Sequence, residues 1–256
     1  MIDAHVSFQE PYSYELLQSY VDEAVKAGIS ELTILEPTHK FIECERLYTE
    51  IKYTYPYQEA WYEAIPKISI QEYQTFIDEM KKKEFPIKLR FGICVCYFTQ
   101  HEWFIRQMKK AYPYDCFIGS IQFIDNIAFA WEDCSMEMLW DKYNANFLYR
   151  RYYEMMNALI TSKIFDGVHG FDNIKLMGVK PSFKLEHTYH KLAMLLAVHH
   201  MYVENDRSIG YKRNHPDKGL NDEFLSMCQK MHVEVRDASN ACCSKDVGRG
   251  IVSKGQ

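Results

Sequence analysis

Along this chain short apolar runs alternate with longer stretches in which apolar residues recur at helical spacing. The runs at 2–6, 32–35, 87–95, 116–121, 165–168, 201–204 and 233–236 read as strands. Between the first two, Ser13 can cap a helix whose buried stripe is Leu17, Tyr20, Val21, Ala24 and Val25, and Gly28 can end it in the left-handed conformation. Ser69 with Glu72, and Thr99 with Glu102, form capping boxes that predict helices reaching Lys83 and Lys110. Pro181 and Ser182 open a helix to Val198, and Asn221 caps another with Asp222 and Glu223 in its first turn. The aromatic-rich stretch 136–162 reads as one long helix. Residues 41–66 and 123–132 read as long loops after strands, the first with a short helix around Arg46 to Tyr53; such loops more often serve function than not.

Strands and helices that alternate without a break in composition predict a parallel sheet in one α/β domain spanning 1–256, closed as a barrel or open and doubly wound. In either case ligands bind where strands end, at residues such as His5, Glu36 with His39, Cys94, Gln122, His169, Asn205 and Asp237. No G-x-G-x-x-G, P-loop or G-x-S-x-G follows a strand, so the barrel is favoured by elimination.

Composition narrows the partners. A net charge of −5, and a single basic run at Lys81 to Lys83 where a helix should end, leave no footprint for nucleic acid. No stretch approaches the ~20 apolar residues of a membrane span, and Asp3 and Glu10 stand where a signal peptide would be basic and then apolar, so a cytoplasmic protein without membrane contact is expected. The eight cysteines should then be thiols. None lies in a C-x-x-C pair, but Cys94 and Cys96 share a strand face and Cys242 adjoins Cys243. The pairs His187 with His190 and His199 with His200 lie away from strand ends and read as surface residues.

Asp3 to Ser7, Pro11 to Ser13, Leu35 to Phe41, Gly119 to Asp125, Phe165-Asp166 through Asp172 to Lys175, and Asp246 to Gly250 together resemble the histidinol-phosphatase branch of the PHP (polymerase and histidinol phosphatase) superfamily, in order and over nearly the whole chain. The resemblance implies a distorted, TIM-like (β/α)7 barrel, hydrolysis of phosphate monoesters on a cluster of up to three divalent metals, and histidinol phosphate as the default substrate.

The departures from the family pattern are specific. Ser7 replaces the second histidine of His-x-His, Pro37 follows Glu36 where histidine is usual, and Cys94 stands at the place of a bridging glutamate. Gln122 replaces a histidine, His169 stands one place early with Gly170 at the ligand position, and Ser239 ends Asp-Ala-His. By this resemblance His5, Glu36 and Asp237, with Cys94 as a soft addition, are the remnant metal ligands. They imply one divalent ion, zinc, manganese or iron, or none. His39, Lys40, Gln122, His169 and Arg249 are the residues expected to contact an anionic or phosphorylated small molecule, Arg249 at a helix start where N–H groups favour anions. The expected function is an eroded phosphoesterase relative that binds such a molecule with little or no turnover. The alternatives are an active phosphomonoesterase with a reduced site, and a structural or assembly protein. In the family a helix follows the Asp246 to Arg249 motif, but the sequence ends soon after it, at Val252 to Gln256, which implies either a stub of that helix or a homodimer contact over the last strand.

Overall fold

The structure, a computed structural model, describes residues 1–251; the expected stub at 252–255 lies outside them. Strands β1 (Ile2–Val6), β2 (Glu31–Pro37), β3 (Lys88–Cys96) and β4 (Cys116–Ser120) are followed by a two-stranded ribbon, β5 (Phe123–Ile124) and β6 (Ile127–Ala128). Strands β7 (Gly167–His169), β8 (Tyr202–Asp206) and β9 (Val235–Ala238) complete the set. Seven of them pair in parallel in the order β1-β2-β3-β4-β7-β8-β9, a nearly closed barrel ringed by helices, as the resemblance implies.

The last seam, between β9 and β1, closes without a regular ladder. A single bridge joins Val6 to Ala241. Below it the buried carboxylate of Asp3 accepts the Ser239 N–H at 2.8 Å, the Ser239 hydroxyl at 2.6 Å and the Gly248 N–H at 2.9 Å. Burial pushes this carboxyl up, and these donors oppose the shift.

Helices α1 (Tyr14–Lys26), α2 (Thr49–Thr54), α3 (Pro56–Ala64), α4 (Ile70–Met80), α5 (Glu102–Ala111), α6 (Ala145–Thr161), α7 (Glu186–Val198), α8 (Ser208–Arg213) and α9 (Asp222–Lys230) cover the barrel. Ser13, Ser69 and Asn221 accept N–H groups of the first turns of α1, α4 and α9, as their positions predict. Gly28 takes φ +71° after α1. The expected long helix at 136–162 is instead broken into a π-helical turn at Met136–Trp140 and α6, because the Asn144 side chain accepts the Asn146 N–H and starts a new helix. Thr99 opens a 3₁₀ turn rather than capping α5. Among the described residues no helix is long and apolar enough to cross a membrane.

Strand parity fixes which side chains enter the barrel, because successive residues face opposite sides. Leu35, Cys94, Cys116, Ile118 and Tyr202 form an interior cluster apart from the larger core under the helices. Gly167 makes room for Tyr202, since a Cβ there would stand 2.6 Å from the tyrosine ring. Arg236 stacks on the same ring at 3.9 Å. The barrel is thus filled below, and its polar residues gather at the carboxyl ends of the strands.

Candidate functional site

His5, His169 and Glu204 meet inside this mouth. Glu204 is wholly buried on β8, and its Oε2 lies 2.8 Å from His5 Nδ1 and 2.7 Å from His169 Nδ1. The two rings are 4.5 Å apart, inclined at 52°. Burial by itself would raise the Glu204 carboxyl, but the charge of His5, followed by hydrogen bonds from His169 and His5, holds it below its ordinary value. A carboxylate only accepts hydrogen bonds, so each ring carries a proton on Nδ1, and when neutral presents a lone pair at Nε2. For His169, burial lowers the pKa; the hydrogen bond to Glu204 and the charges of Glu204 and Asp206 outweigh it, and the net shift is upward.

The donor atoms of these three residues lie within 4.8 Å of one another, the one such group among the described residues. As placed, 2.7 and 2.8 Å are hydrogen-bond lengths. Donors sharing a tetrahedral zinc stand about 3.3 Å apart. In this geometry Glu204 therefore orients the imidazoles from behind. Its other oxygen, Oε1, is buried with no partner among the described residues, and a cation would satisfy it. These three residues can serve one ion at most. They do not fit a cluster, which needs several carboxylates and a bridging one.

No family model and no curated protein matches the sequence. Among solved structures, the chain is similar to a protein assigned as a histidinol phosphatase from Listeria monocytogenes, with TM-score 0.76, 15% identity and 100% of both chains covered. It is also similar to a histidinol phosphate phosphatase from Lactococcus lactis, with TM-score 0.65 and 16% identity over 95% of this chain and 87% of that one. The chain has a histidinol-phosphatase-like fold. The Lactococcus protein is complexed with zinc, L-histidinol and phosphate.

Above His5 and His169 opens a cavity of about 260 Å³, which Lys40, Cys94, Gln122 and His39 also line. Lys40 is not free: its ammonium pairs with Glu36 Oε2 at 2.7 Å and also donates to the Phe8 carbonyl. Cys94 packs in the interior cluster and donates to Ser120 Oγ at 3.8 Å; burial pushes its thiol well above the usual range. It lies outside the three-donor group.

Two of the expected metal ligands face away from this site. Glu36, one residue out of phase with interior Leu35, turns outward, and its Oε1 accepts the Phe8 N–H at 2.8 Å while Oε2 holds Lys40. Asp237 aligns with Asn205, not Glu204, and bonds to Asn205 Nδ2 and Arg207 Nε, each at 2.8 Å. Arg249 pairs with Asp246 and lies over Tyr211, half exposed, in a turn between Gly248 and Gly250 rather than at a helix start. It does not line the cavity.

His39 stands against Trp61, with ring centroids 5.3 Å apart, and its Nδ1 is buried with no partner among the described residues. Burial, then the charges of Lys40 and Lys67, lower its pKa to about 3. The unfolded chain therefore takes up a proton below pH about 6.5 that the folded chain refuses, and stability should rise with pH from about 3 to 6.5 at up to about 1.4 kcal/mol per unit from this residue. Urea unfolding at pH 5 and pH 7 checks this: the difference between the two should shrink by about 2 kcal/mol in His39→Phe.

Proposed function

We propose that this chain is a phosphoesterase-like barrel of histidinol-phosphatase type that binds an anionic, phosphorylated small molecule at its mouth and hydrolyses it weakly or not at all. The observation that carries this reading is the donor set: His5, His169 and Glu204 suffice for one ion, while Ser7, Pro37, Gln122 and Gly170 stand where the resemblance implies further ligands.

A divalent ion held at the His5 and His169 Nε2 atoms, with Glu204 behind the rings, would polarise a phosphoryl oxygen. The protein's own part is positioning. Glu204 fixes both histidines in one tautomer and orientation. Lys40, held by Glu36, adds little free charge.

A second reading, a working phosphomonoesterase with a mononuclear centre, draws on the same three donors and on the zinc, L-histidinol and phosphate in the Lactococcus neighbour. Elemental analysis run beside a histidinol phosphate assay separates the two. We expect at most one zinc per chain and a kcat below about 0.1 s⁻¹, against an ordinary enzyme median of about 10 s⁻¹. Turnover near that median with one zinc selects the second reading, and two or more metals per chain overturn both.

A further inference from the structure

The mouth cavity has a base and walls of different chemistry. At its base stand His5 and His169, each hydrogen-bonded through Nδ1 to the buried Glu204. The other polar groups are the carboxamides of Gln9, Gln122 and Asn240, the Ser7 hydroxyl and the His39 imidazole. Among the described residues no aspartate or glutamate lines the cavity. Asn240 gives its amide N–H groups to Asp206 and Ser208, which leaves its carbonyl for a ligand. Lys40, the one lysine of the lining, is already taken by Glu36 and the Phe8 carbonyl.

His39 is the decisive group. Its ring is wedged against Trp61 and Tyr48, its Nδ1 is buried without a partner among the described residues, and it lines the cavity. With Lys40 beside it in sequence and Lys67 bonded to its own carbonyl at 2.7 Å, the ring is held neutral and can both donate and accept.

We infer that the cavity is built for a polyol phosphate, one anionic group at the His5 and His169 end and a body of uncharged hydroxyls against His39, Gln9, Gln122 and Asn240, and not for a phosphate ester carrying an ammonium group. Carboxamides, a hydroxyl and a neutral imidazole match hydroxyls, which also donate and accept. An ammonium there would lose water without gaining a carboxylate. A volume of about 260 Å³ lies just under the usual range for ligand sites and suits a body of a few carbons. The inference rests on the reading that the cavity takes an anionic ligand.

Titration calorimetry of the intact protein with inorganic phosphate, glycerol 3-phosphate and O-phosphoethanolamine tests it. Glycerol 3-phosphate should bind at least about tenfold more tightly than phosphoethanolamine, the discrimination of one well-made hydrogen bond. If phosphate binds and phosphoethanolamine equals or exceeds glycerol 3-phosphate, this inference falls and the anion-binding reading stands. If none of the three binds, both fall. His39→Phe should weaken glycerol 3-phosphate about tenfold, and His39→Gln, which keeps a donor and an acceptor, should recover part of the loss. Gln122→Leu serves the same purpose if His39→Phe fails to fold; full retention of glycerol 3-phosphate affinity in a folded variant of either kind overturns the assignment.

Discussion

Glu204→Ala should lower stability by about 3–5 kcal/mol and zinc affinity by about 10- to 100-fold or more. The stability loss follows from burial: the carboxylate is wholly inaccessible, it accepts from two imidazoles at 2.7 and 2.8 Å, and its removal leaves both rings without their partner. The affinity loss follows from tautomer and aim, because with Glu204 gone nothing holds the proton on Nδ1. Urea unfolding and a zinc titration measure the two effects. A variant within about 1 kcal/mol of the parent, with zinc affinity intact, would remove Glu204 from this role. Glu204→Gln should fall between, since one carboxamide oxygen can accept while the –NH₂ adds donors to a site already supplied with them. The pH dependence has two opposed limbs. Glu204, held below its ordinary 4.5, contributes stability that is present above that pH and is lost as pH falls through its folded value. His169, held above its ordinary 6.5, contributes stability that is present below that pH and is lost as pH rises through its folded value.

Asp3→Ala should cost a similar amount, about 3–5 kcal/mol, with no direct contact to the proposed ligand. Three donors converge on this side chain from Ser239, directly after β9, and from the turn at Gly248, and they tie together the two strands that no ladder joins. Alanine would leave two buried N–H groups and a hydroxyl unmatched. Asp3→Asn keeps the shape and loses one acceptor, and about half the penalty is expected. Denaturant unfolding gives the magnitude. Hydrogen exchange gives the place: the Ser239 and Gly248 amides should lose protection in Asp3→Ala beyond what global destabilisation accounts for, and equal loss across all strands would argue against a seam.

Much of the architecture was legible because it depends on local rules. Capping side chains at Ser13, Ser69 and Asn221, the left-handed Gly28, and apolar runs separated by helical stretches are short-range signals. The site was less legible because it depends on parity, and parity depends on where each strand starts. Glu36 and Asp237 stand at family positions in the sequence, yet the register of β2 and β9 turns them outward to Lys40 and Arg207. Glu204 lies inside the apolar run 201–204, whereas the strand-end position that motif reasoning favours is Asn205, whose side chain points the other way, to Asp237 and the Leu220 N–H. The available signal was a lone acidic residue in an apolar run: Tyr202-Val203-Glu204 buries a charge that must have a partner. His169, one place early by motif, still enters the barrel because it shares parity with Gly167, which faces Tyr202.

Gln58 ties together two segments that the sequence presents as separate loops. Wholly buried, its amide donates to the Ile51 and Asn126 carbonyls and accepts the Ala128 N–H, so it spans the 41–66 segment and the β5–β6 ribbon. In engineering terms the two are one exchangeable part. Transplanting the ribbon into another barrel without the 41–66 segment would leave its Asn126 and Ala128 backbone groups without their buried partner, and shortening that segment would do the same from the other side. Lineages that altered one of these loops should have altered the other with it.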